Sequence, residues 1–427
     1  MKVSLNALTA TEIADGIVSG KFSAEAVTRA CIDRIDEREE TVGAWAFFDP
    51  DLALEQARSV DAAAKKGVIA GVPVGIKDII DTQDMPTGMG SALYEDHQPL
   101  IDATCVARLK AAGAVIMGKT VTCEFAGLTA GKTTNPHDPS RTPGGSSSGS
   151  SAAVSDKMAP VALGTQTGGS IIRPSSYCGI IGFKPSFDTL SLKGVFPAAE
   201  SLDTLGLHAR SLDDIELILS ALLQREHKKT PGLTRPPVVG LCKTWMWDDA
   251  EPESRAAVET TLEKLKGAGA GVRELELPEE FEWLGDVRGI INCRERASVM
   301  AGEWANGKHQ LSDQLQRTVQ QGLDTSYDEY LDAIYLMETC RARMNQTFEG
   351  CDFLLTPAVD GEAPIGLKET GSPRFQALWT MLHVPTITLP TYRAPSGMPV
   401  GVQLVAPHRA DRSLMAIARW VLEVCEI

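Results

Sequence analysis

A long segment of small residues constrains the fold of this chain more than any other feature. Residues 131–151 are mostly Gly, Ser, Thr and Pro, a composition that is also typical of a flexible linker. An apolar run, 159–163, comes after this segment, and a second glycine-rich loop, 164–170, follows it directly. Two glycine-rich loops that are separated by an alanine-rich helix and a short strand favour a compact α/β site over a linker.

Predicted strands and helices alternate along the rest of the chain. This alternation favours an α/β fold whose sheet is covered by helices on both faces. The sequence predicts helices at 10–40 (two helices), 51–65, 104–112, 251–266, 326–348 and 412–424, and strands at 72–76, 114–117, 238–242, 272–277, 353–355, 386–389 and 400–405.

Charge and cysteine usage exclude several functional classes. The formal net charge of -15 over 427 residues argues against non-specific binding to nucleic acid or to an anionic membrane, because both need basic patches. The nine cysteines are odd in number and include no CxxC pair, so we expect free thiols and no zinc site. The sequence contains neither a membrane-spanning apolar stretch nor an apolar leader after Met1, so we expect a cytoplasmic protein.

Two features of the first half of the chain can carry chemistry. Lys77 ends an apolar strand, where partial loss of water would lower the pKa of its amine and make it a base. A lysine at this position can equally reach out to solvent. The second feature is the run of hydroxyl residues at 146–151; it lacks the Lys-Ser/Thr ending of a phosphate-binding loop, and alone it also fits a linker.

A third and a fourth feature lie just downstream. Ser170 follows Gly168 and Gly169, and consecutive unhindered N–H groups can form an oxyanion hole. Arg173 comes three residues later and is followed by Pro174. Each of these features alone also fits an ordinary role, a turn for the glycines and a solvated side chain for the arginine.

Together the four features closely resemble the amidase signature family. The resemblance covers most of 60–210 and 350–425, whereas 215–345 carries little recognisable pattern. The matching motifs are 71–82 around the lysine, 143–154 and 162–186 in the central signature, and 353–358, 384–390 and 397–405 near the C-terminus.

The resemblance implies a single α/β amidase signature domain over 1–427, with a mixed sheet between helices. Within it we expect N-terminal helices at 1–65, the catalytic core at 66–210, and the C-terminal part of the core at 350–427. We expect the segment 215–345 to be variable, mostly helical and peripheral to the core.

The family's catalytic roles carry over to residues of matching type. Ser170 lies where the family has its nucleophile, and Ser146 lies where it has a bridging serine that follows a cis peptide. Lys77 takes the position of the general base. The resemblance also implies that the N–H groups of Thr167, Gly168, Gly169 and Ser170 form the oxyanion hole, and that no metal, nucleotide or other cofactor is required.

Two positions depart from the family pattern. Gln166 replaces the usual Asp, and Arg173 lies one residue later than the usual Arg. Both changes resemble the malonamidase-like branch, in which an arginine at this offset binds the carboxylate of a small substrate. A guanidinium matches a carboxylate in two parallel hydrogen bonds, so Arg173, together with Gln166 and Ser147, is predicted to bind substrate. Ser147 is also predicted to join Lys77 in a hydroxyl network.

Three functions remain open at this point. The first is a free-standing hydrolase of small amides, including carboxylate-bearing ones such as malonamate, with a homodimer left open. The second is the glutaminase A subunit of a glutamyl-tRNA amidotransferase complex, from which Gln166 and the shifted Arg173 both depart. The third is a catalytically inactive binding protein on the same fold, against which the intact triad argues.

Overall fold

Eleven strands form one mixed sheet in the computed structural model, which describes residues 4–427. Their order across the sheet is β1-β3-β2-β4-β6-β5-β10-β11-β9-β7-β8. The strands are β1 (Trp45–Phe48), β2 (Pro73–Lys77), β3 (Val115–Thr120), β4 (Val161–Gln166), β5 (Ile181–Lys184), β6 (Thr204–Ala209), β7 (Val238–Cys242), β8 (Gly271–Leu275), β9 (Phe353–Pro357), β10 (Thr386–Arg393) and β11 (Pro399–Val405). Strand β2 is parallel to β3 and β4, strand β7 is parallel to β8 and β9, and the other pairs are antiparallel.

Helices flank this sheet, and together they make the single α/β domain that the resemblance implies. They are α1 (Ala10–Val18), α2 (Ala24–Val42), α3 (Pro50–Ala62), α4 (Thr104–Ala111), α5 (Ser148–Ser155), α6 (Ile172–Tyr177), α7 (Leu212–Leu222), α8 (Pro252–Gly267), α9 (Leu284–Val299), α10 (Ala301–Gly307), α11 (Asp313–Asp324), α12 (Tyr327–Thr347), α13 (Arg374–Met381) and α14 (Asp411–Cys425).

Local sequence signals explain where several helices begin. The hydroxyl of Ser23 accepts a hydrogen bond from the N–H of Ala26 and caps α2. Ser326 and Glu329 form a capping box at the start of α12, because each side chain satisfies a backbone N–H that the helix leaves free. These caps determine where α2 and α12 begin.

The glycine- and serine-rich segment is folded into the core. Residues 142–154 are all buried, and α5 packs against β4 and against β2. The short side chains allow this helix to approach the sheet closely; a β-carbon on Gly149, for example, would collide with backbone atoms of Ala44 and Val121. The prediction of a compact site is confirmed, and a linker is excluded.

The sequence predicts that the segment 215–345 is peripheral to the core, but in the structure part of this segment belongs to the sheet. It supplies β7 and β8, which extend the sheet at one end, and its helix α9 packs against α13 from the C-terminal part of the chain. The strands themselves are predicted at 238–242 and 272–277, but the sequence pattern does not show that they join the same sheet as the signature motifs. The segment therefore contributes to the domain that positions the site.

Two further expectations concern cysteines and membranes. All nine cysteines are free thiols, and eight of them are buried. Within residues 4–427, no helix is both long enough and apolar enough to cross a membrane.

Candidate active site

Two adjacent parallel strands place Lys77 and the loop that carries Ser170 at the same edge of the sheet. Ile76 of β2 lies opposite Leu163 of β4, so the carboxyl ends of both strands meet at one edge of the sheet. Lys77 is the last residue of β2, and the glycine-rich loop 167–170 follows the last residue of β4. The carboxyl ends of parallel strands are the usual place for a site in α/β sheets.

Among residues 4–427, no carboxylate pairs with the Lys77 ammonium. Its side chain is fully buried, and Nζ lies 2.8 Å from Ser146 Oγ and 2.8 Å from Thr165 Oγ1. Burial lowers the pKa of Lys77 to about 7, and the nearby guanidiniums of Arg296 and Arg173 act in the same direction. A lysine with this pKa is largely neutral just above pH 7 and can accept a proton.

Ser146 is almost completely buried beside Lys77. The peptide bond that joins Gly145 to Ser146 is cis, as the resemblance implies, and the carbonyl of Ser146 accepts a hydrogen bond from the N–H of Cys123 over 3.1 Å. The exposed fraction increases from 0% at Lys77 to 1% at Ser146 and 8% at Ser170. Of the three, Ser170 is thus the residue that solvent and a small substrate can reach.

The loop at 167–170 presents unused N–H groups. Within residues 4–427, the N–H groups of Thr167, Gly168, Gly169 and Ser170 donate to no protein acceptor. The carbonyls of the same loop are engaged: Gly168 O accepts from Thr380 Oγ1 over 2.7 Å, and Gly169 O accepts from the N–H at the start of α6. A loop whose carbonyls are fixed and whose N–H groups are free can stabilise an oxyanion.

The sequence predicts that Gln166 contacts the substrate, but the geometry favours internal hydrogen bonds for its side chain. Its Oε1 accepts from the N–H groups of Ile171 (2.8 Å) and Ile172 (3.1 Å). Its Nε2 donates to Thr380 Oγ1 over 3.0 Å, and the side chain is fully buried. Because both polar ends are used internally, Gln166 braces the loop that carries Ser170.

The structure also corrects the two roles predicted for Ser147. Ser147 Oγ donates to the carbonyl of Thr165 over 3.3 Å and is fully buried, so it joins neither Lys77 nor an open cavity. The hydroxyl beside Lys77 belongs to Thr165 instead. Sequence reasoning missed Thr165, although its place in the central signature, at the end of a strand next to β2, could have drawn attention to it.

Arg173 is buried beneath the loop, with 2% of its surface exposed. Its Nη2 donates to Gly145 O over 2.7 Å and approaches Thr370 Oγ1 at 3.4 Å. Within residues 4–427, its Nε and Nη1 have no hydrogen-bond partner. Buried polar atoms without partners are costly, so these two donors are suited to a ligand.

Comparison with known proteins identifies the family. The sequence model of the family described as Amidase matches residues 26–415 of the 427. This chain belongs to the amidase signature family. Curated relatives include the second of the glutamyl-tRNA(Gln) amidotransferase A subunits of Clostridium acetobutylicum, 29% identical over 96% of this chain and 98% of the relative. Another is the glutamyl-tRNA(Gln) amidotransferase A subunit of Syntrophus aciditrophicus, 31% identical over 97% of each chain.

Solved structures agree with this assignment. A structure described as a crystal structure of amidase has a TM-score of 0.88 and 28% identity, over 97% of this chain and 99% of that one. A second, described as a vestigial protein complex that reveals the evolutionary origins of an s-triazine catabolic enzyme, has a TM-score of 0.88 and 27% identity, over 97% and 98%. The chain is an amidase, a hydrolase of C–N amide bonds, with the Ser-Ser-Lys residues typical of its family. These matches do not support the malonamidase-like branch in particular.

Proposed function

We propose that this amidase hydrolyses its substrate through an acyl-enzyme on Ser170, with Ser146 as proton relay and Lys77 as general base. The observation that carries the proposal is the buried contact of 2.8 Å between Lys77 Nζ and Ser146 Oγ. The lowered pKa of Lys77, about 7, supports the same role, because a general base works best when its pKa is near the operating pH.

The reaction follows from these positions. Neutral Lys77 takes the proton of Ser146, Ser146 takes the proton of Ser170, and Ser170 Oγ bonds to the amide carbon. The free N–H groups of the loop hold the negative oxygen; the loss of one such donor costs about 3–4 kcal/mol in well-studied hydrolases. Ser146 then gives its proton to the leaving nitrogen as the C–N bond breaks, and Lys77 reprotonates Ser146. Water hydrolyses the acyl-enzyme by the same relay.

For the substrate, we propose a small amide that carries a carboxylate. The unpaired Nε and Nη1 of Arg173 support this choice, because an anion would satisfy two buried donors at once. Malonamate and glutamine both belong to this class. The relatives named as amidotransferase A subunits favour glutamine, and thus a glutaminase subunit that works in a complex, over malonamate.

The catalytic proposal is tested with single and double variants. Ser170→Ala should abolish turnover and labelling by a fluorophosphonate, which reacts only with an activated serine. Ser146→Ala and Lys77→Ala should each lose several orders of magnitude in kcat, and the double variant should lose little more, because residues of one relay act as a unit. Near-normal rates for Lys77→Ala at neutral pH would refute the assignment. Activity should also persist with EDTA and without ATP.

The choice between the two substrates is tested with the purified chain. L-glutamine and malonamate are compared by their kcat/KM for release of ammonia, each beside its neutral carboxamide. Purification from the native source then shows whether other subunits accompany the chain. Turnover of malonamate by the chain alone, with glutamine inert, would overturn the amidotransferase alternative.

A further inference from the structure

A second guanidinium lies beside the nucleophile loop and comes from the segment that the sequence leaves unassigned. Arg288 is a half-buried residue of α9. A β-carbon built on Gly168 would lie 3.4 Å from Arg288 Nη1 and 3.4 Å from Pro373 Cβ. The tip of Arg288 therefore lies against the loop residue that precedes Ser170 by two positions.

No internal anion accounts for this placement. Within residues 4–427, Arg288 takes part in no ion pair, and the groups that act on its pKa include no carboxylate. Arg288 is half-buried, so its charge has lost part of its hydration, and this burial lowers the pKa of Arg288. An arginine that braces the protein usually donates to a carbonyl or a carboxylate, as Arg296 of the same helix does to Phe125 O over 2.6 Å.

Arg173 approaches the same loop at the next glycine. A β-carbon built on Gly169 would lie 3.1 Å from Arg173 Nη1, one of its two unpaired donors. Burial lowers the pKa of Arg173, and the charge of Arg288 lowers it further. The carboxylate of Asp360 raises the pKa of Arg173, but this carboxylate is also paired with Arg374, whose Nε lies 3.4 Å from Asp360 Oδ1. Two like charges thus flank consecutive residues of the loop, and neither is paired with an anion from residues 4–427.

We propose that Arg288 is a substrate-specificity residue that, together with Arg173, holds the carboxylate of a short amide acid. The inference rests on the proposed function and adds a residue to it. Two guanidiniums in partly dehydrated surroundings repel each other. An anion between them is attracted to both and offsets that repulsion. In a chain with a net charge of -15, such a pair also supplies the local positive potential that an anionic substrate needs.

Kinetics of matched substrates test the role of Arg288. Malonamate is compared with malonamide, and L-glutamine with L-glutaminamide, so that each pair differs only in a carboxylate and its neutral isostere. Arg288→Gln should lower kcat/KM for the acid of the preferred pair about 10- to 100-fold, as expected for a hydrogen bond to a charged group. The neutral partner should change less than about threefold. Arg412→Gln, which removes an exposed arginine of α14, is the matched control and should leave both members unchanged.

An equilibrium measurement keeps the outcome independent of turnover. In a Ser170→Ala background, binding of malonate and of glutarate is measured by calorimetry with and without Arg288→Gln. Arg288→Gln should weaken the affinity for whichever dianion binds by about 10-fold or more. Arg412→Gln should leave that affinity unchanged. Equal losses for acid and neutral substrates, or dianion binding that ignores Arg288, would overturn the inference. If no amide is hydrolysed while the dianion still binds through Arg288, the proposed function fails and the anion site stands.

Discussion

Arg173 Nη2 donates to Gly145 O over 2.7 Å, which ties the helix after the nucleophile to the residue directly before Ser146. One nitrogen of the guanidinium therefore fixes the relative positions of the two serines. The other two, Nε and Nη1, have no partner within residues 4–427. The same side chain thus serves as a brace and offers a binding site for an anion.

This double role predicts how Arg173→Ala will behave. Loss of the bond to Gly145 should reduce kcat for every amide, and loss of the free donors should add a further penalty of about 2–3 kcal/mol for a carboxylate-bearing amide. The ratio of kcat/KM values for malonamate and malonamide, measured on the wild type and the variant, separates the two effects. Equal losses would mean that Arg173 only braces the site.

The pH dependence of activity follows from Lys77. Its pKa is lowered to about 7, and only the neutral amine can accept a proton, so kcat/KM should rise with pH through a midpoint near 7 and level off above about pH 8. A pH series of initial rates, with circular dichroism to verify folding at each pH, measures this profile. An activity that declines from pH 6 to pH 9 in the folded enzyme would contradict lysine as the base.

The lowered pKa of Lys77 also means that this residue reduces the free energy of unfolding. The folded-state pKa of about 7 lies below the ordinary 10.5, so between these values the unfolded chain binds more protons and stability rises with pH. Lys77→Met removes this penalty. The gain in free energy of unfolding should therefore be larger at pH 6 than at pH 9, by roughly 2–3 kcal/mol. Thermal denaturation of both proteins at the two pH values measures it, and a gain that does not depend on pH would argue against the lowered pKa.

Thr165 is expected to position the base. Its hydroxyl lies 2.8 Å from Lys77 Nζ, so Thr165→Val should lower kcat by about 10-fold, the size expected for one hydrogen bond, and should move the midpoint of the pH profile. Thr165→Ser retains the hydroxyl and should stay near the wild-type rate and midpoint. If Thr165→Val changes only the melting temperature, the contact is structural alone.

Gln166 is expected to support the nucleophile loop and not to bind the substrate. Its side chain joins the N–H groups of Ile171 and Ile172 to Thr380, so Gln166→Met should loosen the nucleophile loop. We expect parallel losses of kcat for acidic and neutral amides, together with a lower melting temperature. A selective rise in KM for the acidic amide would contradict the bracing role and support the substrate contact that the sequence predicts for Gln166.

The chemistry of the site can be predicted from the sequence because it lies in short contiguous motifs. Lys77, Ser146 and Ser170 belong to segments whose residue types and order are distinctive, and the structure brings Lys77 into contact with Ser146. The mixed sheet between helices follows from the same resemblance.

The rest of the site depends on contacts between residues that are remote in the chain. Thr380 reaches Gly168 across 212 residues, and Arg288 approaches the same glycine from a helix without a recognisable motif. The bracing contacts of Gln166 could not be predicted, because Oε1 accepts from N–H groups whose directions only the folded loop reveals, and Nε2 donates to the remote hydroxyl of Thr380. Composition and local periodicity do not encode such pairings.

The proposed base, relay and nucleophile all lie within residues 77–170, whereas Arg288 belongs to α9. If the proposals hold, the chemical step and the part of substrate choice that depends on Arg288 are encoded in separate stretches of the gene, while Arg173 lies close to the nucleophile. A mutational library confined to the solvent-facing positions of α9 around Arg288 can explore new acyl groups while every member inherits an intact nucleophile. Descent with change in substrate has the same route open to it, provided that Arg296 of the same helix is retained, because its charge acts on the pKa of Lys77.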